Sequence, residues 1–169
     1  AISIPLFPAH GCIPYSISPV AVINSVDAVT SYLWNFGDGG TSAVANPTYT
    51  YLAQGTYTVK LVITTSGGCT DSIIIPAAIR VGSKPVADFS ASPNPVCARH
   101  PVQFTDLSIP ADEWVWSFGD GGTSSIQHPI YNYNDTGYFD IRLIASNNGC
   151  PDTITRVRYI YVKPPIARF

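Results

Sequence analysis

Two nearly identical nine-residue segments carry the residues of this chain that are most suggestive of chemistry. WNFGDGGTS spans residues 34–42 and WSFGDGGTS spans residues 116–124, so eight of nine letters recur at an offset of 82 residues. A glycine-rich segment with one aspartate and a Thr-Ser pair suits three tasks: holding a phosphate, binding calcium, or forming a tight turn. The flanking elements decide between them.

The surroundings of the two segments favour a turn. A phosphate loop needs a following helix and usually a Lys-Ser/Thr pair, whereas Thr41-Ser42 leads into Pro47 and another β-like segment. A calcium loop needs several oxygen ligands at alternating positions, and each segment has one Asp, so calcium is the weaker alternative. Glycine permits positive φ, and an Asp side chain accepts backbone N–H bonds in turns. The predicted turn residues are Trp34, Phe36, Gly37, Asp38 and Gly39, and in the second copy Trp116, Phe118, Gly119, Asp120 and Gly121.

Other residues give little basis for catalysis or for cofactor binding. The histidines His10, His100 and His128 have no partner histidine at a ligand spacing, Glu113 is the only glutamate, and no G-x-S-x-G motif is present. Charged residues make up 12% of the chain and the net charge is −2, without a basic run. We therefore expect no enzyme activity, no metal or cofactor, no nucleic-acid partner and no membrane span.

The chain is internally duplicated. NPTYTY at 46–51 matches HPIYNY at 128–133, and GTYTVKL at 55–61 matches GYFDIRL at 137–143. Further along, the offset falls to 81 and then to 80 residues, with the slips confined to loops. This pattern indicates tandem copies of one fold. We expect domains at residues 1–83 and 84–163, with residues 164–169 beginning the first strand of a further repeat.

Each copy has the pattern of a β-rich domain. TYTVKLVIT (56–64) and YFDIRLIA (138–145) alternate and are rich in β-branched and aromatic residues, which predicts strands. Thirteen glycines and 15 prolines interrupt the pattern, and no helical periodicity is sustained. The fold expected is all-β, with two tandem sandwiches of about seven strands each.

The ordered motifs resemble the PKD (polycystic kidney disease) domain, an immunoglobulin-like sandwich of large extracellular proteins. The resemblance rests on W-x-F-G-D-G-x-x-S, N/H-P-x-x-x-Y, G-x-Y/F-x-V/I-x-L and G-C, and it covers both copies. Asn35 and Ser117 depart from it where Asp is common, and His128 replaces the usual Asn. The added cysteines resemble those of PKD arrays in giant bacterial surface and gliding-associated proteins. The resemblance implies an extracellular, bacterial cell-surface location.

Each copy contains two cysteines: Cys12 and Cys69 in the first, Cys97 and Cys150 in the second. None forms a close pair such as C-x-x-C, so a zinc site is not indicated. Four cysteines allow three pairings, and copies that fold alone favour Cys12–Cys69 and Cys97–Cys150. Each bond would close a loop of more than 50 residues, which contributes about 4 kcal/mol of stability. Disulfides also predict an oxidising, extracellular compartment.

Two equivalent triplets are candidates for modification. Asp71-Ser72-Ile73 and Asp152-Thr153-Ile154 resemble the D-S/T-aliphatic sites of bacterial O-glycosylation. The alternative is that the triplet merely begins the last strand of each copy. Ser72 and Thr153 are the residues that would carry the sugar.

The two ends of the chain suggest a longer array. PIARF at 165–169 matches PVADF at 85–89, which opens the second copy, whereas no similar segment opens the first. We expect the first copy to lack this strand and to receive it beside Ala1–Phe7 from a continuing chain or a neighbouring subunit.

The function expected is structural: an extracellular repeat in a fibre, stalk or adhesin shaft, whose partners are neighbouring copies of itself and, secondarily, surface glycans or proteins. Short Pro-containing linkers such as VGSKPV (81–86) suit a stiff spacer. The alternative is an accessory polysaccharide- or protein-binding module of a secreted enzyme. An exposed row of planar aromatic side chains would favour that alternative.

Overall fold

A computed structural model describes residues 1–164 of the 169-residue chain. Its described residues contain strands, turns and bends but no helix, and accordingly no helix among them could cross a membrane. The chain divides into two compact units, domain 1 (Ala1–Ser83) and domain 2 (Lys84–Phe169). Of the expected start of a further repeat at 164–169, residues 165–169 lie outside the described residues.

Domain 1 is built from two-, two- and five-stranded sheets. Its strands are β1 (Ile2–Ser3), β2 (Ala9–Cys12), β3 (Tyr15–Ile17), β4 (Val22–Ile23), β5 (Val29–Asn35), β6 (Thr41–Ser42), β7 (Tyr49–Tyr51), β8 (Gly55–Thr65) and β9 (Thr70–Gly82). The five-stranded sheet has the order β2-β9-β8-β5-β6, while β3 pairs with β7 and β1 with β4. Within the five-stranded sheet, β2 runs parallel to β9 and the other neighbours are antiparallel.

Domain 2 repeats this topology with a three-stranded and a five-stranded sheet. Its strands are β10 (Phe89–Ser92), β11 (Val96–Cys97), β12 (Pro101–Asp106), β13 (Glu113–Ser117), β14 (Thr123–Ser124), β15 (Ile130–Asn132), β16 (Gly137–Asn147) and β17 (Cys150–Lys163). The sheet orders are β10-β12-β15 and β11-β17-β16-β13-β14. The prediction of an all-β sandwich fold is confirmed. Domain 1 has nine described strands and domain 2 has eight, rather than the expected seven or so, because several strands are only two residues long.

Each domain has its own hydrophobic core, formed by the inward-facing residues of alternating strands. In domain 1, Trp34 of β5 lies opposite Leu61 of β8 in the strand register. In domain 2, Trp116 of β13 lies opposite Leu143 of β16 in the same way. All four side chains are fully buried. The tryptophan of the repeated motif therefore anchors the core of each domain.

Domain 1 has an opening strand of its own. β1 pairs antiparallel with β4, as β10 pairs with β12 in domain 2. Ile4 is buried in the domain 1 core, and the Ala1 ammonium donates to the Asn24 carbonyl at 3.0 Å. The expectation that the first copy lacks this strand is therefore wrong. Residues 1–5 do not resemble PVADF in sequence. One buried isoleucine, Ile4, and two paired backbone positions in β1 are nevertheless enough to form this edge strand.

The long hairpins β8–β9 and β16–β17 each contain a bulge at the same place. The register shifts between Tyr57 and Val59 in domain 1 and between Phe139 and Ile141 in domain 2. The opposing strand contains a residue at positive φ, Ala77 at 48° in domain 1 and Arg158 at 52° in domain 2. A bulge redirects the side chains around it. The same bulge therefore contains an alanine, Ala77, at its positive-φ position in domain 1 and an arginine, Arg158, in domain 2.

Candidate functional site

The repeated aspartate closes the turn after the motif strand by accepting several hydrogen bonds. The Gly40 backbone N–H donates to Asp38 Oδ1 at 3.0 Å, and the Tyr49 hydroxyl lies 2.8 and 2.9 Å from the two carboxylate oxygens. In domain 2, Gly122 donates to Asp120 at 3.0 Å, and the Tyr131 hydroxyl lies 3.0 and 2.9 Å from its oxygens. The carboxylate thus has donors from its own turn and from strand β7 or β15.

The hydroxyl that faces this carboxylate is held in its neutral form. Burial, together with the hydrogen bond to Asp38, raises the pKa of Tyr49 to about 12. Burial and the bond to Asp120 likewise raise the pKa of Tyr131. An ionised tyrosine could not donate to the carboxylate and would repel it. The neutral hydroxyl can therefore donate to the carboxylate, and the pair acts as a structural clasp between the turn and the strand.

The glycine before each aspartate is required by space and by backbone conformation. Gly37 has φ of 88°, and a Cβ there would lie 2.5 Å from the Thr58 carbonyl oxygen of strand β8. Gly119 has the same φ, and its Cβ would lie 2.6 Å from the Asp140 carbonyl oxygen. At Gly39 and Gly121, which also have positive φ, a Cβ would meet nothing within 4 Å. The motif glycines therefore divide into one pair that packs against the sheet and one pair that only turns.

The motif residues continue into a stack of aromatic rings. Phe36 stacks on Tyr49 with ring centroids 3.9 Å apart, and Phe118 stacks on Tyr131 at the same distance. The Tyr51 hydroxyl donates to the Phe36 carbonyl at 2.9 Å inside the core. The sequence motif does not reveal the hydroxyl–carboxylate clasp, although the recurrence of Tyr49 at position 131 was a signal that could have identified it.

The turn lacks the ligands of a cation site. No group of three or more His, Cys, Asp or Glu side chains capable of holding a metal occurs in the part of the chain that the structure describes. His128 is occupied structurally, because its Nδ1 accepts a hydrogen bond from the Asp106 backbone N–H at 3.1 Å. His100 Nδ1 lies 3.2 Å from the Ala98 carbonyl. These histidines are not brought together.

Domain 2 contains a buried carboxylate that the sequence pattern did not single out. Asp106 is 6% exposed and accepts hydrogen bonds from the Trp114 indole at 2.8 Å, from the Gln127 amide at 3.1 Å and from the Ser108 backbone at 2.9 Å. These donors satisfy the charge without a metal. Ala21 occupies the corresponding place in domain 1, so comparison of the two copies could not identify Asp106.

The cysteines of domain 1 lie at opposite ends of one long strand. Cys12 pairs with Gly82, the last residue of β9, and Cys69 immediately precedes its first residue, Thr70. An extended strand rises about 3.3 Å per residue, so roughly 40 Å separates the two positions. A disulfide requires Cα atoms within about 7 Å.

The same geometry applies in domain 2, where Cys97 pairs with Lys163 at the end of β17 and Cys150 begins that strand. The predicted pairings Cys12–Cys69 and Cys97–Cys150 are therefore wrong. Cys69 and Cys97 are exposed free thiols, whereas Cys12 and Cys150 are disulfide-bonded. The parallel pairing of the short strands β2 and β11 places each first cysteine at the far end of the domain from the second.

Domain 2 displays a surface of stacked aromatic and cationic side chains, which we call the aromatic platform and define as Tyr138, Tyr161 and Arg158. Tyr138 is 52% exposed and stacks on Tyr161 across strands β16 and β17, with ring centroids 4.5 Å apart. The Arg158 guanidinium lies over the Tyr138 ring at 4.3 Å. The bulge holds Arg158 there, because its backbone N–H donates to Asp140 at 2.7 Å.

Domain 1 has no counterpart of this platform. The repeat places Thr56 at the position of Tyr138, Ala77 at that of Arg158 and Arg80 at that of Tyr161. The platform could not be predicted from features that the two copies share, because its residues occur in domain 2 alone. The difference between equivalent exposed positions was the signal.

The remaining candidates lie on strand surfaces. Ser72 of β9 and Thr153 of β17 are both exposed, and their glycosylation stays a prediction. Tyr32 and Trp114, two residues before the core tryptophans, are partly buried and pack against the cores.

Comparisons with known proteins agree with this architecture. A family model for the PKD domain matches residues 19–81 and again residues 82–162. The chain is 32% identical over 145 residues to a microbial collagenase of Vibrio alginolyticus. The aligned segment covers 76% of this chain and 16% of that relative. It is 62% identical over 40 residues to collagenase ColA of Bacillus cereus, covering 24% of this chain and 4% of that enzyme. The pre-pro-metalloprotease PrtV of Vibrio cholerae is 30% identical over 132 residues, covering 75% of this chain and 14% of the relative. The chain thus spans less than a fifth of the length of each of these relatives.

Two solved structures share the fold at low sequence identity. The fibronectin(III)-like modules of Clostridium thermocellum CbhA superpose with a TM-score of 0.59 at 18% identity, covering 97% of this chain and 95% of theirs. Murine CEACAM1b gives a TM-score of 0.59 at 11% identity, covering 98% and 100%. These similarities show the immunoglobulin-like sandwich fold alone.

Proposed function

Because this chain belongs to the PKD domain family, with one domain in each half, we propose that it is a non-catalytic accessory module of a secreted bacterial enzyme. Its task is to hold that enzyme on a polymeric extracellular substrate. The curated relatives include two collagenases and a metalloprotease. They give no support to the fibre, stalk or adhesin shaft that the sequence suggested, and they favour the accessory-module alternative.

The observation that carries the proposal is the aromatic platform of domain 2. Tyr138 is exposed and Tyr161 is half-buried, and their two rings stack with a guanidinium over one of them. Because Tyr161 and Arg158 cover the faces of the Tyr138 ring, the stack offers ring edges and hydroxyl groups to a ligand, and such aromatics are enriched in binding surfaces. An adjacent arginine adds a planar set of donors for carbonyl oxygens.

The chemistry of the platform fits an extended, proline-rich polypeptide. Polyproline II segments are recognised on aromatic surfaces, because their backbone is already extended and its carbonyls point outward. Collagen consists of three such chains, and collagen is the substrate named by two of the relatives. We propose fibrous protein of this type as the ligand. A polysaccharide, which also stacks on aromatic rings, is the competing ligand class.

A binding experiment with insoluble polymers tests the proposal. The wild-type chain should co-sediment with fibrillar collagen, and the double variant Tyr138→Ala/Tyr161→Ala should bind at least about tenfold more weakly, since loss of an aromatic anchor costs upwards of 1–2 kcal/mol. Arg158→Ala should weaken binding to a smaller extent. Melting temperatures of all variants establish that the fold is retained.

The matched control lies in domain 1, where Thr56→Ala changes the exposed position equivalent to Tyr138 and should leave binding unchanged. Cellulose and chitin serve as the polysaccharide arm. Binding to these polymers but not to collagen would replace the protein ligand by a glycan. Equal binding by the wild type and the platform variants on every polymer would contradict the proposal.

A further inference from the structure

Arg158 of domain 2 is a charged residue whose guanidinium has no acidic partner among the described residues. The guanidinium lies over the Tyr138 ring at 4.3 Å, and no ion pair or hydrogen bond joins it to an oxygen within the described part of the chain. Arg156, two residues earlier in β17, differs, because its guanidinium lies 2.6 Å from Asp88 Oδ1 and also donates to the Phe89 carbonyl. The charge of Arg156 is therefore compensated within the domain, whereas the charge of Arg158 is available to a ligand.

The guanidinium of Arg158 is held in position without the use of its hydrogen-bond donors. The attraction between a cation and an aromatic ring needs no hydrogen bond, so all five N–H groups of the guanidinium can still bind an acceptor. The backbone beneath it is fixed by the bulge, where the Arg158 N–H donates to Asp140 Oδ1 at 2.7 Å. A side chain that is already positioned loses less conformational entropy when it binds a ligand.

Two charged side chains on the same pair of strands influence the binding of an anion at Arg158. Lys163 is exposed and follows Tyr161 by two residues in β17, so it lies on the same face of the sheet. Asp140 of β16 is the carboxylate at the bulge, and one of its oxygens accepts the Arg158 backbone N–H. Lys163 therefore strengthens the attraction of an anion to this face, and Asp140 weakens it.

We propose that Arg158 binds a carboxylate of the ligand and makes the platform selective for acidic side chains in a fibrous protein. A guanidinium matches a carboxylate through two parallel N–H···O bonds, which are stronger than bonds to a neutral carbonyl. A glutamate or aspartate beside an extended, proline-rich stretch supplies that carboxylate, while the stretch itself contacts the ring edges of Tyr138 and Tyr161. This inference rests on the proposed function, because it specifies which segments of that ligand the platform binds.

Two triple-helical model peptides test the inference on the full 169-residue chain. Both consist of Gly-Pro-Pro repeats and differ in one central residue of each strand, which is glutamate in one peptide and glutamine in the other. In titration calorimetry, the wild type should bind the glutamate peptide about tenfold more tightly, because a charge-assisted pair is stronger than a neutral hydrogen bond. The difference should shrink to about threefold or less at ~1 M salt, where the Debye length is about 3 Å.

Substitutions in the platform identify the residue that recognises the charge. Arg158→Gln should abolish the preference for the glutamate peptide, and Arg158→Lys should retain only part of it, because an ammonium lacks the planar fork of donors. Arginine, lysine and glutamine all carry a Cβ, so the strain of the positive φ of 52° is the same in each. Asp140→Asn keeps an oxygen for the bulge N–H and should raise the affinity for the glutamate peptide alone. Arg142→Gln, at an exposed position farther along β16, is the matched control and should leave the preference unchanged.

The outcomes separate this inference from the proposed function. If the wild type bound fibrillar collagen but neither peptide, or bound both peptides equally, the inference would be wrong and the proposed function would stand. A preference that survives in Arg158→Gln would also overturn the inference, because another residue would then recognise the charge. If neither the peptides nor collagen bound, the proposed function would fail and the inference with it. Binding to polygalacturonate, an acidic polysaccharide, but to neither peptide would overturn the assignment of a protein ligand.

Discussion

Asp38 and Asp120 show how a residue with catalytic potential can be committed to structure. Each carboxylate receives one backbone N–H of its own turn and one tyrosine hydroxyl from a neighbouring strand. A charged acceptor with such donors is worth more than a neutral one. The clasp ties the turn to the sandwich, so the aspartate recurs for a packing reason in both domains.

Replacement of the aspartate should destabilise the domain that contains it. Asp38→Ala and Asp120→Ala should each lower the free energy of unfolding by about 1–3 kcal/mol, because the tyrosine hydroxyl and the turn N–H lose a charged acceptor. Urea denaturation measures the loss. Asp135→Ala, at an exposed loop position, is the control and should change stability little. A rise in the wild-type melting temperature on adding calcium, reversed by EDTA, would show that the turn binds calcium instead.

The clasp also predicts how stability depends on alkaline pH. The folded-state pKa of Tyr49 is raised above its ordinary value of 10 to about 12, so the folded state favours the neutral hydroxyl. The resulting stability is fully present below pH 10 and is lost as the pH rises towards 12. Urea denaturation of wild type at intervals between pH 9 and 12 should show the decline, and Tyr49→Phe should have a shallower one despite its lower stability at pH 9. Parallel curves for the two proteins would contradict the assignment.

At the scale of elements, the sequence predicts the strands that have a local alternating pattern and those that recur in both copies. The strands at 56–64 and 138–145 lie within β8 and β16, because period-two alternation is a local signal. The disulfide pairings failed because they depend on which end of β9 the short strand β2 joins, and that is a property of long-range topology. The opening strand of domain 1 was missed for a related reason: edge pairing uses backbone groups, which letter patterns do not encode.

The two motif glycines should differ in their sensitivity to substitution, although both have positive φ. Gly37→Ala adds a Cβ that meets the backbone of β8 at 2.5 Å, so the turn or the strand must move, and we expect a loss of roughly 3 kcal/mol or more. Gly39→Ala meets open space and should cost only the conformational strain of about 1–2 kcal/mol. Thermal denaturation compares them, with Gly119→Ala and Gly121→Ala as the same pair in domain 2. Equal losses would show that φ alone decides.

At the scale of the whole molecule, the two domains share a framework and differ in surface chemistry. Domain 2 has the aromatic platform, and it also packs Arg156 over Phe89 at 4.6 Å and pairs it with Asp88 at 2.6 Å. Ile75 occupies the corresponding register position in domain 1. The two copies therefore differ in the side chains that they present on equivalent strands, while their frameworks are the same.

Separate cores predict separate unfolding. Leu61 and Leu143 are fully buried, each in the core of its own domain, and truncating a buried leucine to alanine typically costs about 2–5 kcal/mol. In calorimetry under reducing conditions, Leu61→Ala should lower the melting temperature of one transition and Leu143→Ala that of the other. The double variant should show both shifts added, because the two sites share no core neighbours. If either single variant moved the entire unfolding profile as one transition, the domains would be a single cooperative unit, and a division into a binding domain and a spacer would have no basis in their stability.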